Sequence, residues 1–531
     1  MDKHKKIFLN GRIFTSNKNM KWAEAIVVLL NKIIFVGSNA EAKNLIDNST
    51  EVIDLEGRLV LPGFIDSHAH LVLGGFYLLG IDLSKAKSKT DFQNIFSNYI
   101  KKNNGWILGG NWNHQLFDKV ELPTKEWIDN ITGDIPVFVH RMDYHMALAN
   151  SAALNLAGIT KDTLSPIGGT IERDNKGEPT GILKDKAMDL VYKIIPEPGK
   201  NEFQTAIATA LKEAAKFGIT CVNDISYKNH FYAFQKYFFQ NNLTCRIYSI
   251  LPIEKHEELI AAEIVCPFGN DKLKIGAMKA FADGSLGSST ALMFEAYSDE
   301  PNNFGLAMDI LNNGRLEKWA IKCDRNNLQL VIHAIGDKAI SHVMDIYEKL
   351  NSLNPGKDRR LRIEHAQHMS PNDFERFKKN NVIASVQPFH LHDDGCWAEN
   401  KIGNERMRTT YAFKTFLNYD VKLAFGSDWP VASFNPIDGI SSAVNRITAD
   451  GKNRNGLNCE QKISVEDAVN AYTIDAAYSC FWENEIGSIE ENKFADFIIL
   501  DKNIFEIPTN EIKNSKVLMT IFDGEIIHSL I

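Results

Sequence analysis

The sequence predicts an α/β protein: a (β/α)8 TIM barrel flanked by a β-sandwich built from both chain ends, with a subdomain inserted after the first barrel strand. Three observations carry this reading. From Thr220 onward, short apolar runs alternate with helical stretches, the rhythm of repeated βα units. Those seven runs, together with an earlier one at Gly63 to His70, make eight, the number that closes a barrel. Both ends of the chain, finally, read as short strands separated by turn signals.

Taken in order, residues 6–60 hold strand-like runs at Lys6 to Thr15, Ala25 to Leu30, Lys32 to Val36 and Glu51 to Leu55, punctuated by Asn-Gly, Asn and Gly-Ser turns. Gly63 to His70, following Leu61-Pro62, is the first barrel strand, apolar enough to be buried on both faces. The others are Thr220 to Ile225, Cys245 to Leu251, Lys274 to Ala282, Gln329 to Ile335, Arg362 to Ala366, Val382 to Gln387 and Val421 to Asp428. Several intervals approach the ~30 residues of a βαβ unit. The first interval is different: about 150 residues separate strands one and two, far beyond a crossover connection. An inserted subdomain is expected there, with a helix near Thr90 to Lys102 and strands near Trp106 to Gly109 and Pro136 to His140. Beyond the barrel, Ser464 can N-cap a helix running to about Trp482, and strands return at Ala495 to Leu500 and Val517 to Phe522. The implied domains are 1–60 with 485–531 for the sandwich, 61–75 with 201–484 for the barrel, and 76–200 for the insert.

A chain of 531 residues exceeds what one core normally serves. Its 44% apolar and 24% charged content is globular. A net charge of -8 without any Lys/Arg block argues against a nucleic-acid binder and leaves a small molecule as the expected partner. No apolar run approaches a membrane span, and the first dozen residues lack a signal-peptide core. Seven scattered cysteines, never in Cys-x-x-Cys spacing, read as reduced thiols. A cytoplasmic protein that does not bind membranes is expected, with a homodimer among the assemblies allowed.

Catalytic groups in such barrels sit at the C-terminal ends of strands. His68 and His70 alternate with Ala69, so they face the same side, roughly 6 to 7 Å apart along the strand. Neutral imidazole is a common metal ligand. Later strand ends offer Lys279, His333, His365 and Asp428. Each has an ordinary alternative: Lys279 could pair with Asp283, His333 could bond a backbone carbonyl, His368 could replace His365, and Asp428 could cap a turn. The successive strand ends, each closing on the side-chain type a metal needs, point to a metal centre.

These segments resemble the amidohydrolase superfamily. The resemblance rests on Leu61 to His70 (LPGFIDSHAH), Ile363 to Gln367 (IEHAQ), Gly426-Ser427-Asp428, and the closing Gly487-Ser488-Ile489 with Ala495-Asp496-Phe497-Ile498. Lys279 to Leu292, and Asp143-Tyr144-His145 leading to Asn150 to Leu154, look closest to the amidohydrolase 3 group, which includes N-substituted formamide deformylases. The resemblance implies two divalent ions, zinc with iron or manganese as alternatives. It implies that His68 and His70 bind one ion and His333 and His365 the other. Lys279 would bridge them as a carboxylated lysine, a CO2-derived carbamate, and Asp428 would bind the first ion and act as the catalytic proton acceptor.

The implied activity is metal-dependent hydrolysis of a carbon-nitrogen bond other than a peptide bond, an amide or N-substituted formamide, by a metal-activated hydroxide. The alternatives are a single-metal deaminase or an ester or lactone hydrolase on the same barrel, and a metal-free scaffold. His145, Asp283, Trp112 and Arg141 are the expected substrate contacts. Asp185 stands where the resemblance leads one to expect glutamate.

Overall fold

A computed structural model of the chain describes residues 5–102, 105–114, 117–141, 146–166 and 169–531. It divides into two compact units, one of residues 1–71 with 211–531 and the other of residues 72–210. The first unit contains the barrel and two further sheets.

The barrel strands are β1 (Phe64–Ala69), β2 (Ile219–Ile225), β3 (Arg246–Pro252), β4 (Leu273–Phe281), β5 (Gln329–Ala334), β6 (Arg362–His365), β7 (Ile383–Val386) and β8 (Leu423–Phe425). They pair in parallel in chain order from β1 to β8. The remaining seam, between β8 and β1, is joined just past the end of β8. There the Asp428 N–H donates to the His68 carbonyl (2.7 Å) and the His70 N–H to the Trp429 carbonyl (2.8 Å). The buried Asp66 carboxylate reinforces the seam: Oδ1 accepts from the Ser427 and His68 N–H groups, both at 3.0 Å, and Oδ2 from the Ser427 hydroxyl at 2.5 Å. Gly426 allows this approach, because a Cβ there would lie 2.5 Å from the His68 backbone nitrogen. The histidine pair and Asp428 are thus held at the line that closes the barrel.

Two sheets form the sandwich. One runs Lys32–Gly37, Ala25–Leu29, Lys5–Leu9, Thr50–Asp54; the other runs Glu525–Ser529, Val517–Phe522, Phe497–Leu500, Leu59–Pro62, Arg12–Phe14, Trp22–Ala23. Phe8, Ile26 and Ile33 of the first share one core with Ile13, Val60, Phe497 and Ile521 of the second. Phe8 and Phe497 meet edge to face, centroids 4.9 Å apart, an arrangement the ring quadrupole favours. The single run expected from Lys6 to Thr15 is instead two strands in different sheets. Asn10 breaks it by taking a left-handed conformation at φ 58°, which asparagine tolerates better than most residues. Sandwich and barrel are tied by Arg246 of β3, fully buried, whose guanidinium forks onto Asp496 (2.8 and 3.1 Å) and also reaches Asp523 (2.5 Å).

The second unit is built on a six-stranded mixed sheet, ordered Gly169–Arg173, Pro179–Asp185, Met146–Ala149, Val137–Arg141, Ile107–Trp112, Ile81–Asp82. The helix Lys89–Tyr99 starts where the Ser88 side chain accepts the Asp91 N–H, and it buries Phe92 and Phe96 with Trp112, Trp127 and Val139. A 3-10 turn, Ile100–Lys102, extends it. Among the described residues no helix is long and apolar enough to cross a membrane.

Candidate metal centre

The strand ends bring their side chains to one cleft, and two of them do so through strained backbone. His365 and Ala366 at the end of β6 have φ of 72° and 40°, and Asp428 beyond β8 has φ of 57°. Non-glycine residues rarely adopt such angles, and they persist where surrounding structure enforces them. Here the seam bonds to His68 and Trp429 hold Asp428 in place.

Asp428 Oδ1 lies 3.1 Å from His70 Nε2 and 3.4 Å from His68 Nε2. Its other oxygen faces His390 Nε2 at 3.8 Å. Two groups result, each with one donor atom per residue and all donors within 4.8 Å of one another: His68, His70 and Asp428, and His365, His390 and Asp428. His390 opens the short helix His390–Asp394 that follows β7. Because it sits on a helix and not at a strand end, reading strand ends passes over it. The available signal is its position four residues past Val386, the last residue of β7.

His333 is adjacent to His365, ring centroids 4.4 Å apart, yet belongs to neither group. Its Nε2–H donates to the Gly284 carbonyl at 3.0 Å, which leaves Nδ1 as the lone-pair atom. Burial holds its imidazolium down to about 3. Burial likewise lowers His70 and His365, the latter well below the ordinary range, so both rings are neutral, the form that ligates.

His68 is positioned from behind. Its Nδ1–H donates to Glu364, so Nε2 is the nitrogen turned toward Asp428. Glu364 is fully buried and receives the Arg362 Nε–H at 2.9 Å and the Ser385 hydroxyl at 2.9 Å. Burial opposes ionisation of Glu364, but Arg362 and His68 outweigh it and hold the carboxyl down. This carboxylate-histidine support fixes tautomer and ring orientation. In the sequence Glu364 is only one residue of the Ile363 to Gln367 segment, since nothing local tells a buried brace from a surface acid.

Lys279 does not pair with Asp283. Its Nζ is buried with no hydrogen-bond partner among the described residues, 4.8 Å from the Phe281 ring centroid. Burial pushes the ammonium down to about 8, against the pull of Glu364 and Asp428. The Asp283 carboxylate is committed elsewhere: it accepts the Leu292 (2.9 Å), Ile335 (3.0 Å) and Gly336 (2.8 Å) backbone N–H groups. Asp283, expected as a substrate contact, is thus buried and held by three backbone donors.

A model of the amidohydrolase family matches residues 51–528. The chain belongs to the amidohydrolase family. This amidohydrolase is 39% identical over 531 residues to the protein LONG AFTER FAR-RED 3 of Arabidopsis thaliana, covering 97% of this chain and 90% of that one. It is 25% identical to the N-substituted formamide deformylase of Arthrobacter pascens, covering 98% and 97%. Among solved structures, an uncharacterized metal-dependent hydrolase from Pyrococcus horikoshii OT3 superposes with a TM-score of 0.81 at 29% identity, over 95% of this chain and 99% of that chain.

The donor set of this amidohydrolase fits a divalent cation. His70 Nδ1, His365 Nδ1, His390 Nε2 and Lys279 Nζ are buried polar atoms with no hydrogen-bond partner among the described residues, a state that costs free energy unless something else occupies them. The remaining expected substrate contacts lie in the second unit. Trp112 is fully buried in that unit, and its Nε1–H donates to the Val139 carbonyl at 3.0 Å. Arg141 ends the strand Val137–Arg141, with Nη2 3.3 Å from Asn113 Oδ1. His145 lies outside the described residues. Asp185 ends the strand Pro179–Asp185.

Proposed function

We propose that this amidohydrolase cleaves a non-peptide carbon-nitrogen bond, in an amide or an N-substituted formamide, at a divalent metal centre. The observation that carries the reading is Asp428, a single carboxylate with one oxygen toward His68 and His70 and the other toward His390. That sharing supports two ions, with zinc, iron and manganese all suited to His and carboxylate donors. Bound there, a divalent ion supplies Lewis acidity, polarising the substrate carbonyl and making water nucleophilic near neutral pH.

The chain's own residues do the rest. His68 and His70 present ring nitrogens from one strand, and Glu364 holds His68 with Nε2 turned toward Asp428. The Asp428 carboxylate takes the proton released by the attacking water and returns it to the leaving nitrogen. Lys279 is the site for a carbamate: its neutral amine adds to CO2, the new N–C bond forms, and one proton is released. This turns a buried cation into an anionic oxygen donor, and burial already favours the neutral amine that must react. The similarity to an N-substituted formamide deformylase supports the formamide assignment. Seven unpaired cysteines support a reducing, cytoplasmic setting.

The test is formate release from N-substituted formamides by metal-loaded protein, with metal counted per chain with and without bicarbonate and intact mass read for one added CO2. Two ions, bicarbonate-dependent activity and loss of both in Lys279→Ala are expected. One ion and an unaffected Lys279→Ala variant would instead favour the single-metal reading.

A further inference from the structure

Beside the metal cleft lies a second cavity of about 570 Å³, larger than the cleft's own 450 Å³. The two share two walls, Tyr227 and Phe281, and Lys279 borders the second cavity. Both shared rings are anchored on histidines of the site: Tyr227 stacks on His70, centroids 5.7 Å apart, and Phe281 packs 5.3 Å from His333. Whatever occupies the cavity therefore sits next to the reacting groups.

Its lining is graded. Ile225, Ile253 and Ala280 are buried, whereas Glu254, Asp309 and Arg315 are exposed. Between them stand apolar side chains left open: Phe281 is 39% exposed, Tyr227 40% and Leu306 55%. Apart from Lys279, which the hydrolase reading assigns to the metal centre, the charged residues of the lining are exposed ones, and the apolar side chains between them suit hydrocarbon.

Building on the hydrolase reading above, we propose that this cavity receives the substituent of the amide substrate, and that the substituent is a bulky, uncharged hydrocarbon. Tyr227, Phe281, Leu306 and Met308 are then specificity-determining residues for that group.

The experiment compares kcat/KM for N-cyclohexylformamide and N-methylformamide on metal-loaded protein. Wild type should prefer the cyclohexyl compound by about tenfold or more, and Met308→Trp, which fills the cavity, should bring that ratio within about threefold. Leu306→Glu places a charge at an already exposed position, where folding tolerates it, and should lower the ratio in the same way. A wild-type ratio near one, or a ratio that neither variant moves, overturns the proposal. Calorimetric titration of N-cyclohexylformamide into metal-stripped protein reads the cavity without chemistry. Binding that both variants abolish, without formate release by the loaded enzyme, keeps the cavity assignment and overturns the hydrolytic one. Formate release without preference for the larger substituent does the reverse, and neither binding nor release overturns both.

Discussion

On one side of the cleft, His68 and Asp428 are braced from behind by Glu364, Arg362 and Asp66; on the other, His365, His390 and Lys279 arrive from three separate elements with buried nitrogens that have no hydrogen-bond partner among the described residues. At His68 and Asp428 the first side is preorganised by the protein itself, since Glu364, Arg362 and Asp66 are all hydrogen-bonded behind them. The second is arranged by backbone strain at His365 and by a helix start at His390, and its donors are satisfied only when something binds. An ion at the first group should therefore bind more tightly and fill first.

The largest expected effect comes from the residue common to both sides. Asp428→Asn should reduce kcat/KM by about 10³-fold, within the range for a lost general base, and should lower metal content at both positions. Retention of both ions with full turnover would remove Asp428 from the centre of the comparison.

Glu364→Gln tests the brace itself. Affinity for the first ion, measured by competition with a chromophoric chelator, should fall about 10- to 100-fold, while the second ion is little changed. Equal weakening of both would mean that the two sides are not independently supported.

His390→Ala and His333→Ala sharpen the second side. Removal of His390 should take one ion per chain away, measured by elemental analysis; removal of His333, whose Nε2–H is spent on Gly284, should leave more metal bound. The opposite order would return His333 to the position that the family resemblance gives it.

Smallest is the effect on stability. Stripping metal from wild type should lower the melting temperature by a few degrees, because an ion that binds only the folded state stabilises it by mass action. The drop should be smaller in Glu364→Gln, whose ion is bound less tightly; an identical drop would argue that the stabilising ion is the second one.

Much of this was legible in the chain. The eight barrel strands could be read because each is a continuous apolar run bounded by turns, and His68, His70, Lys279, His365 and Asp428 could be singled out because strand ends are where such a barrel presents side chains. The break at Asn10 was less visible, since a left-handed residue between two apolar stretches leaves the hydrophobic pattern almost unchanged. The burial of Trp112 is equally invisible in the sequence, since an aromatic looks the same there whether it lines a pocket or fills a core.

The sequence by itself determined the αβ rhythm, the family and which residues of ligand type close the barrel strands, because these depend on local periodicity and on residue identity. Only the tertiary structure decided that Asp428 serves two histidine groups, that Glu364 orients His68, that His390 joins His365, and that Asp283 is spent on backbone amides. Those facts rest on distances between residues tens to hundreds of positions apart. Such distances are set by barrel closure and by where each buried polar group finds its partner.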